Sequence, residues 1–149
     1  DVAMVGEMRD LETIEAAVRA AETGHLVFGT LHTSSAAKTV DRIVDVFPAA
    51  EKDMVRAMLS ESLRAVISQV LCKKVGGGRV AAHEIMIGTP AIRNLIRENK
   101  LHQIPSIMQA SKGDGMMLME NSILKLVESG IVSRQRAMSL TNNPRLFDE

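Results

Sequence analysis

The chain has 149 residues, 18 basic and 18 acidic side chains, and one cysteine, Cys72. That length makes one domain with a core of useful size, and the balanced charge gives no general pull toward nucleic acid or anionic lipid. A lone cysteine excludes an internal disulfide and suits a reducing compartment, three Phe with no Trp or Tyr argue against a base-stacking platform, and neither a membrane-length apolar run nor a basic-then-apolar leader is visible.

Residues Asp1 to Ser35 form the most informative stretch. Asp1–Val5 is a short apolar run, as expected for a strand buried on both faces, and Gly6 ends it. Leu11 to Glu22 is helical. Ile14, Ala17, Val18 and Ala21 share one side, and Glu12 and Glu15 lie near the start, where the helix dipole favours them. Asp10 suits the N-cap and Gly24 the position after the C-cap. His25–Leu31 is apolar, aromatic and β-branched, and predicts a second strand. A crossover helix between two buried strands makes the pair parallel. Glu7 and His32 then follow the carboxyl ends of their strands at the same sheet edge, where open α/β sheets bind ligands. A carboxylate and an imidazole there can polarise a water or a phosphate. Acidic residues after strands are also common without any such role.

Thr33, Ser34 and Ser35 offer capping hydroxyls for a helix over about Ser35–Val46, with Ala36, Val40, Ile43 and Val44 on its apolar face; Phe47-Pro48 ends it. Glu51 to Leu71 predicts one long helix, with Met54, Met58, Leu59, Leu63, Val66, Ile67 and Val70 as its stripe and Lys52, Arg56 and Arg64 on a solvated face. Leu71–Val75 and Arg79–Ile87 predict a hairpin closed by Gly76, Gly77 and Gly78. Thr89-Pro90 starts a helix whose apolar side is Ile92, Leu95 and Ile96. A weaker helix runs from Leu101 to Ala110 and is interrupted at Pro105. Lys112–Gly115 is a loop by its turn chemistry. Met116–Ser129 is helical and stopped by Gly130, Ser133 caps a last helix to Leu140, and Thr141–Glu149 is expected to fray.

VGEMRD after an apolar strand, followed by AAETGHLVFGTLHTSSA, resembles the Walker B and His-box segments of secretion-superfamily ATPases. The likeness is closest to the type IV pilus retraction ATPases of the PilT/PilU kind. AAHEIMIGTPAIRNLIRE at Ala81–Glu98 strengthens it, because AIRNLIRE resembles the signature helix of the retraction members. The resemblance implies the C-terminal part of an α/β, RecA-like P-loop NTPase domain: residues 1–88 as a partial ATPase core, and residues 89–149 as a C-terminal helical region. A G-x-x-x-x-G-K-[ST] phosphate loop is absent, and Gly76–Gly78 lead into Arg79-Val80 rather than Lys-Ser/Thr. The expectation is therefore a C-terminal portion of a longer ATPase, inactive by itself.

The resemblance assigns roles by position. Glu7 is implied to be catalytic, activating the attacking water or holding magnesium directly or through a water; a hard cation takes oxygen ligands. His32 is implied to approach the terminal phosphate. Gly6, Arg9, Asp10, His25, Thr30 and Thr33 are implied to support nucleotide binding. From the residues themselves, Arg9 is expected to pair locally with Asp10 or Glu12. Ala91, Ile92, Arg93, Asn94, Leu95, Ile96, Arg97 and Glu98 are implied to couple hydrolysis to pilus disassembly; pattern alone describes an ordinary amphipathic surface helix. ATP and Mg2+ are the implied cofactors, both needing the upstream part. A homo-hexamer and inner-membrane pilus-base proteins are the implied partners, with a cytoplasmic location peripheral to the inner membrane. Two alternatives stand beside this: a non-catalytic module that docks on pilus-machinery ATPases, and a fragment of an assembly or type II secretion ATPase. The latter commonly carry a cysteine-rich insertion, which a lone Cys72 does not supply. A zinc site from His25, His32 and Glu7 is disfavoured. Seven strand residues at ~3.3 Å separate the two histidines by about 23 Å, and an odd offset turns them to opposite faces. His83 and Glu84, adjacent on a strand, also face opposite ways.

Overall fold

The computed structural model describes residues 1–148. β1 (Val2–Val5) and β2 (Leu26–Gly29) pair in parallel, with Val2 opposite Leu26 and Val5 opposite Gly29. α1 (Leu11–Glu22) forms the crossover; Asp10 caps it by accepting from Thr13 N at 2.8 Å, and Gly24 follows the cap at φ +100°. β2 is shorter than the sequence suggests. His25 folds back on α1, its Nδ1 3.1 Å from Ala20 O, and past Gly29 the chain is tied by Met8 N donating to Thr30 O at 2.9 Å.

Burial of these strands on both faces is not observed: Val2 is 69% exposed, Met4 74% and Phe28 55%. A continuous apolar run suits a strand with cover on both sides. Within this chain, α1 is the helix that packs against β2, and the strands' other surfaces stay open.

α2 (Ala36–Asp45) begins at Ser35, whose hydroxyl accepts from Lys38 N at 3.1 Å. After a 3-10 turn at Ala49–Glu51 comes α3 (Lys52–Ser62). The single helix expected to reach Leu71 therefore stops at Ser62. β3 (Ala65–Lys73) pairs antiparallel with β4 (Arg79–Ile87) through a turn in which Gly76, Gly77 and Gly78 all have positive φ. Val66, Ile67 and Val70 fit a helical stripe, but Val66, Ser68, Val70 and Cys72 also alternate. The alternation prevails because it turns these four toward one face, opposite Met86, Glu84, Ala82 and Val80.

α4 (Pro90–Arg97) is capped by Thr89 and carries Pro at its start, with Ile92 and Ile96 fully buried. α5 (Ile104–Ala110) follows a 3-10 turn at Leu101–Gln103, and Pro105 lies in its first turn rather than breaking it. Met116–Leu118 is extended, not helical, because Met117 forms an antiparallel bridge with Ile85. α6 (Met119–Glu128) and α7 (Arg134–Leu140) follow. Of the tail Thr141–Glu149, expected to fray, residues up to 148 are described and Glu149 lies outside them. Phe147, in a 3-10 turn at Pro144–Phe147, is 2% exposed, and its carbonyl accepts from Arg134 Nη1 at 3.0 Å.

Two apolar clusters share the inward face of the β3–β4 hairpin. The first joins Ile14, Val40, Leu59, Val66, Met86, Ile92, Ile96 and Ile104, and so runs across Gly88. The second joins Cys72, Ala82, Met119, Ile123, Val132, Ala137 and Phe147. Among the described residues, no helix is long and apolar enough to cross a membrane.

Gly88, just past β4, lies against the backbone that follows α3. Its N–H donates to Arg64 O at 2.8 Å, and a Cβ there would lie 2.4 Å from Leu63 O. The obstacle is backbone, so it cannot swing away. Gly88→Ala is expected to destabilise the chain by about 1–3 kcal/mol; an unchanged denaturant midpoint would contradict the packing.

Candidate functional site

The site lies beyond the carboxyl edge of the parallel pair. β1 releases Gly6 and Glu7 there, and β2, in register beside it, releases Thr30 through Thr33. The Thr30 hydroxyl donates to Gly6 O, which ties the two exits together. Glu7 and His32 consequently meet: His32 Nε2 lies 2.7 Å from Glu7 Oε1. Arg9 Nε reaches the same oxygen at 2.6 Å. Arg9 thus pairs with Glu7, not with Asp10 or Glu12 as expected. Asp10 is occupied in capping α1, and an extended chain brings a residue's side chain back beside that of its second neighbour.

The Arg9 guanidinium, and after it the His32 imidazole, hold the Glu7 carboxyl below the ordinary glutamate range. An ionised carboxylate only accepts, so Nε2 of His32 is the donor of the shared hydrogen bond. In the neutral ring, Nδ1 is then the bare acceptor. His32 and Arg9 are largely exposed. Exposed ion pairs contribute little to stability, so this cluster is not what holds the fold.

Of the other predicted residues, Thr33 bonds through its hydroxyl to Thr39 on α2, and Asp10 faces its own helix. His25 is not brought to this edge; it sits at the opposite end of β2 against α1. Among the described residues, no group of three or more His, Cys, Asp or Glu side chains is placed to hold a metal. Glu7 fits magnesium as one carboxylate acting alone or through water, which is how that ion is commonly held beside phosphates.

Beside His32 opens a groove of about 470 Å³, lined also by Thr33, Ser34, Lys38, Asp41 and Arg42. Sequence reasoning missed this face of α2. It set Glu84 aside as a partner of His83 and missed its burial: the carboxylate is only 8% exposed on the inward face of β4. The available signal was a charged residue in an alternating apolar series, Val80, Ala82, Glu84 and Met86. On α4, Arg97 and Asn94 are exposed, while Arg93 Nε is buried without a hydrogen-bond partner among the described residues.

Residues 1–139 match the family model described as "Type II/IV secretion system protein". The type IV pilus retraction ATPase PilT of Pseudomonas aeruginosa is 64% identical over 99% of this chain and 43% of its own length. A twitching motility protein of Neisseria gonorrhoeae is 62% identical over 96% of this chain and 38% of its own length. A crystal structure of the pilus retraction motor PilT with bound ADP superposes with a TM-score of 0.88 at 52% identity, covering 98% of this chain and 41% of that one. The chain thus spans about two fifths of the length of these relatives, and its α/β architecture is that of the C-terminal part of the RecA-like domain.

The Arg9 contact has a sign that can be measured. Because the folded Glu7 value is lowered, the stabilisation from its contacts is complete above the unfolded glutamate range and disappears as pH falls through the lower folded value. In carboxyl NMR titrations Glu7 is expected to protonate at lower pH than an ordinary glutamate, and Arg9→Ala should move it back toward that range. An Arg9→Ala chain with an unmoved Glu7 titration would show that Arg9 is not the cause.

Proposed function

Because the chain belongs to the type II/IV secretion system protein family, we propose that it is the Walker-B and His-box part of an ATP-hydrolysing motor that retracts type IV pili. The observation that carries this is the 2.7 Å meeting of Glu7 and His32 at the carboxyl edge of a parallel pair. The high identity to pilus retraction proteins supports it.

Bound magnesium would neutralise charge on the outer phosphates of ATP. The chain's own residues do the rest. Glu7, ionised and oriented by Arg9, accepts the proton of the attacking water. His32, held by Glu7 through Nε2, faces the terminal phosphate and responds to its presence or loss. Gly6 and Thr30 fix the spacing of the two strand exits through their hydrogen bond. Thr33 ties the His32 loop to α2. Arg9 orients Glu7, whereas Asp10 and His25 contribute only by securing the two ends of α1.

The motor works as a homo-hexamer in the cytoplasm, peripheral to the inner membrane, and acts on pilus-base proteins there. α4 is the coupling element: Ile92, Leu95 and Ile96 seat it in the first cluster, and Ala91, Asn94, Arg97 and Glu98 remain exposed for a partner. Arg93 Nε, buried with no hydrogen-bond partner among the described residues, supports this, since buried polar atoms normally find a partner.

Three outcomes follow. In the full-length protein, Glu7→Gln should retain ATP binding and lose turnover by about a hundredfold or more; near-normal hydrolysis would remove Glu7 from its role. Alanine at Arg93, Asn94 and Arg97 together should spare hydrolysis and abolish twitching, and unaltered twitching would make α4 merely structural. The 149-residue chain alone should release no phosphate from Mg-ATP.

A further inference from the structure

Glu84 lies on the inward face of β4, between Ala82 of the second apolar cluster and Met86 of the first. Its cross-strand neighbour is the small, buried Ser68. A carboxyl group in such surroundings is tolerable only if its oxygens are hydrogen-bonded. Both are. Oε1 accepts from Ala36 N at 2.9 Å, and Oε2 accepts from Met119 N at 3.1 Å. These are the first amides of α2 and α6, and helix starts leave such groups without internal partners. α6 needs this help because Leu118, at its N-cap position, has no capping side-chain oxygen.

The α2 contact bears on the site. Ala36 follows His32 by four residues, and the loop between them is tied down a second time. The Thr39 hydroxyl, on a residue 6% exposed, donates to Ser35 O at 2.9 Å and bonds to the Thr33 hydroxyl. The His32 side chain itself is 80% exposed and has Glu7 as its side-chain partner. Its place is therefore set by that one contact and by the backbone beneath it. We propose that Glu84 and Thr39 are positioning residues for His32: they fix the start of α2, and with it the His32–Ser35 loop, so that the imidazole meets Glu7. This role rests on the catalytic reading above.

The test uses the full-length protein and steady-state ATP hydrolysis by Glu84→Gln, Thr39→Val, His32→Ala, and each of the first two combined with His32→Ala. Glutamine keeps the size but sets an NH2 group against one of the two helix amides. Each single variant, folded and melting as a cooperative unit, is expected to lose about tenfold or more in kcat with KM for ATP within about twofold. In the His32→Ala background neither should cost more than about a further twofold, because the residue they position is gone. A general loosening of the fold would multiply the losses instead and would overturn the proposal, as would wild-type kcat in the folded single variants. Thr39→Val removes one hydroxyl and no carboxylate, and carries the same test if Glu84→Gln does not fold. If His32→Ala hydrolyses ATP normally, the catalytic reading fails and the positioning role with it. If His32→Ala is impaired while both buried variants turn over normally, the positioning role alone falls.

Discussion

The direction in which β2 runs beside β1 decides what this chain can do. Antiparallel pairing would send Glu7 and His32 to opposite ends of the sheet. Parallel pairing, forced by the crossover of α1, delivers both to one edge, where their side chains meet at 2.7 Å. The two strands gain little from burial in this chain, since Val2, Met4, Leu26 and Phe28 are all exposed. Their register serves position. Arg9 binds the same carboxylate oxygen and lowers the Glu7 value further, and the ionised carboxylate makes His32 the donor.

Behind this exposed pair lies a support of the opposite character. The β3–β4 hairpin turns one face inward and divides it between two apolar clusters, with Glu84 at the seam. One buried carboxylate there serves the starts of two helices that are far apart in sequence. α2 leads directly from the His32 loop, and α6 belongs to the second cluster. Exposed charged groups thus stand at the rim, and one buried, hydrogen-bonded carboxylate stands beneath them.

Local signals in the sequence foretold local structure well. Asp10 and Ser133 cap the helices expected of them, Ser35 is the one of three offered hydroxyls that caps α2, α4 starts at Thr89-Pro90, and three consecutive glycines mark the hairpin turn. The meeting of Glu7 and His32 was legible because it needs only strand direction, which the crossover settles. Residues 63 to 70 were misread because their apolar positions satisfy both a helical and an alternating period. Only pairing with β4 chooses between them. The extended Met116–Leu118 and the buried Phe147 depend likewise on distant partners, Ile85 and Arg134. Glu84 was invisible as a support because its two donors lie 48 and 35 residues away. The exposure of β1 and β2 reflects a run of apolar residues suited to more cover than this chain provides.

The most direct measurement is a structure of the full-length protein with magnesium and a non-hydrolysable ATP analogue. The account predicts the terminal phosphate at the carboxyl edge of β1 and β2, with Glu7 and His32 each within one water molecule of it. A nucleotide bound at the opposite edge of the sheet, with the Glu7–His32 pair facing only solvent, would contradict it.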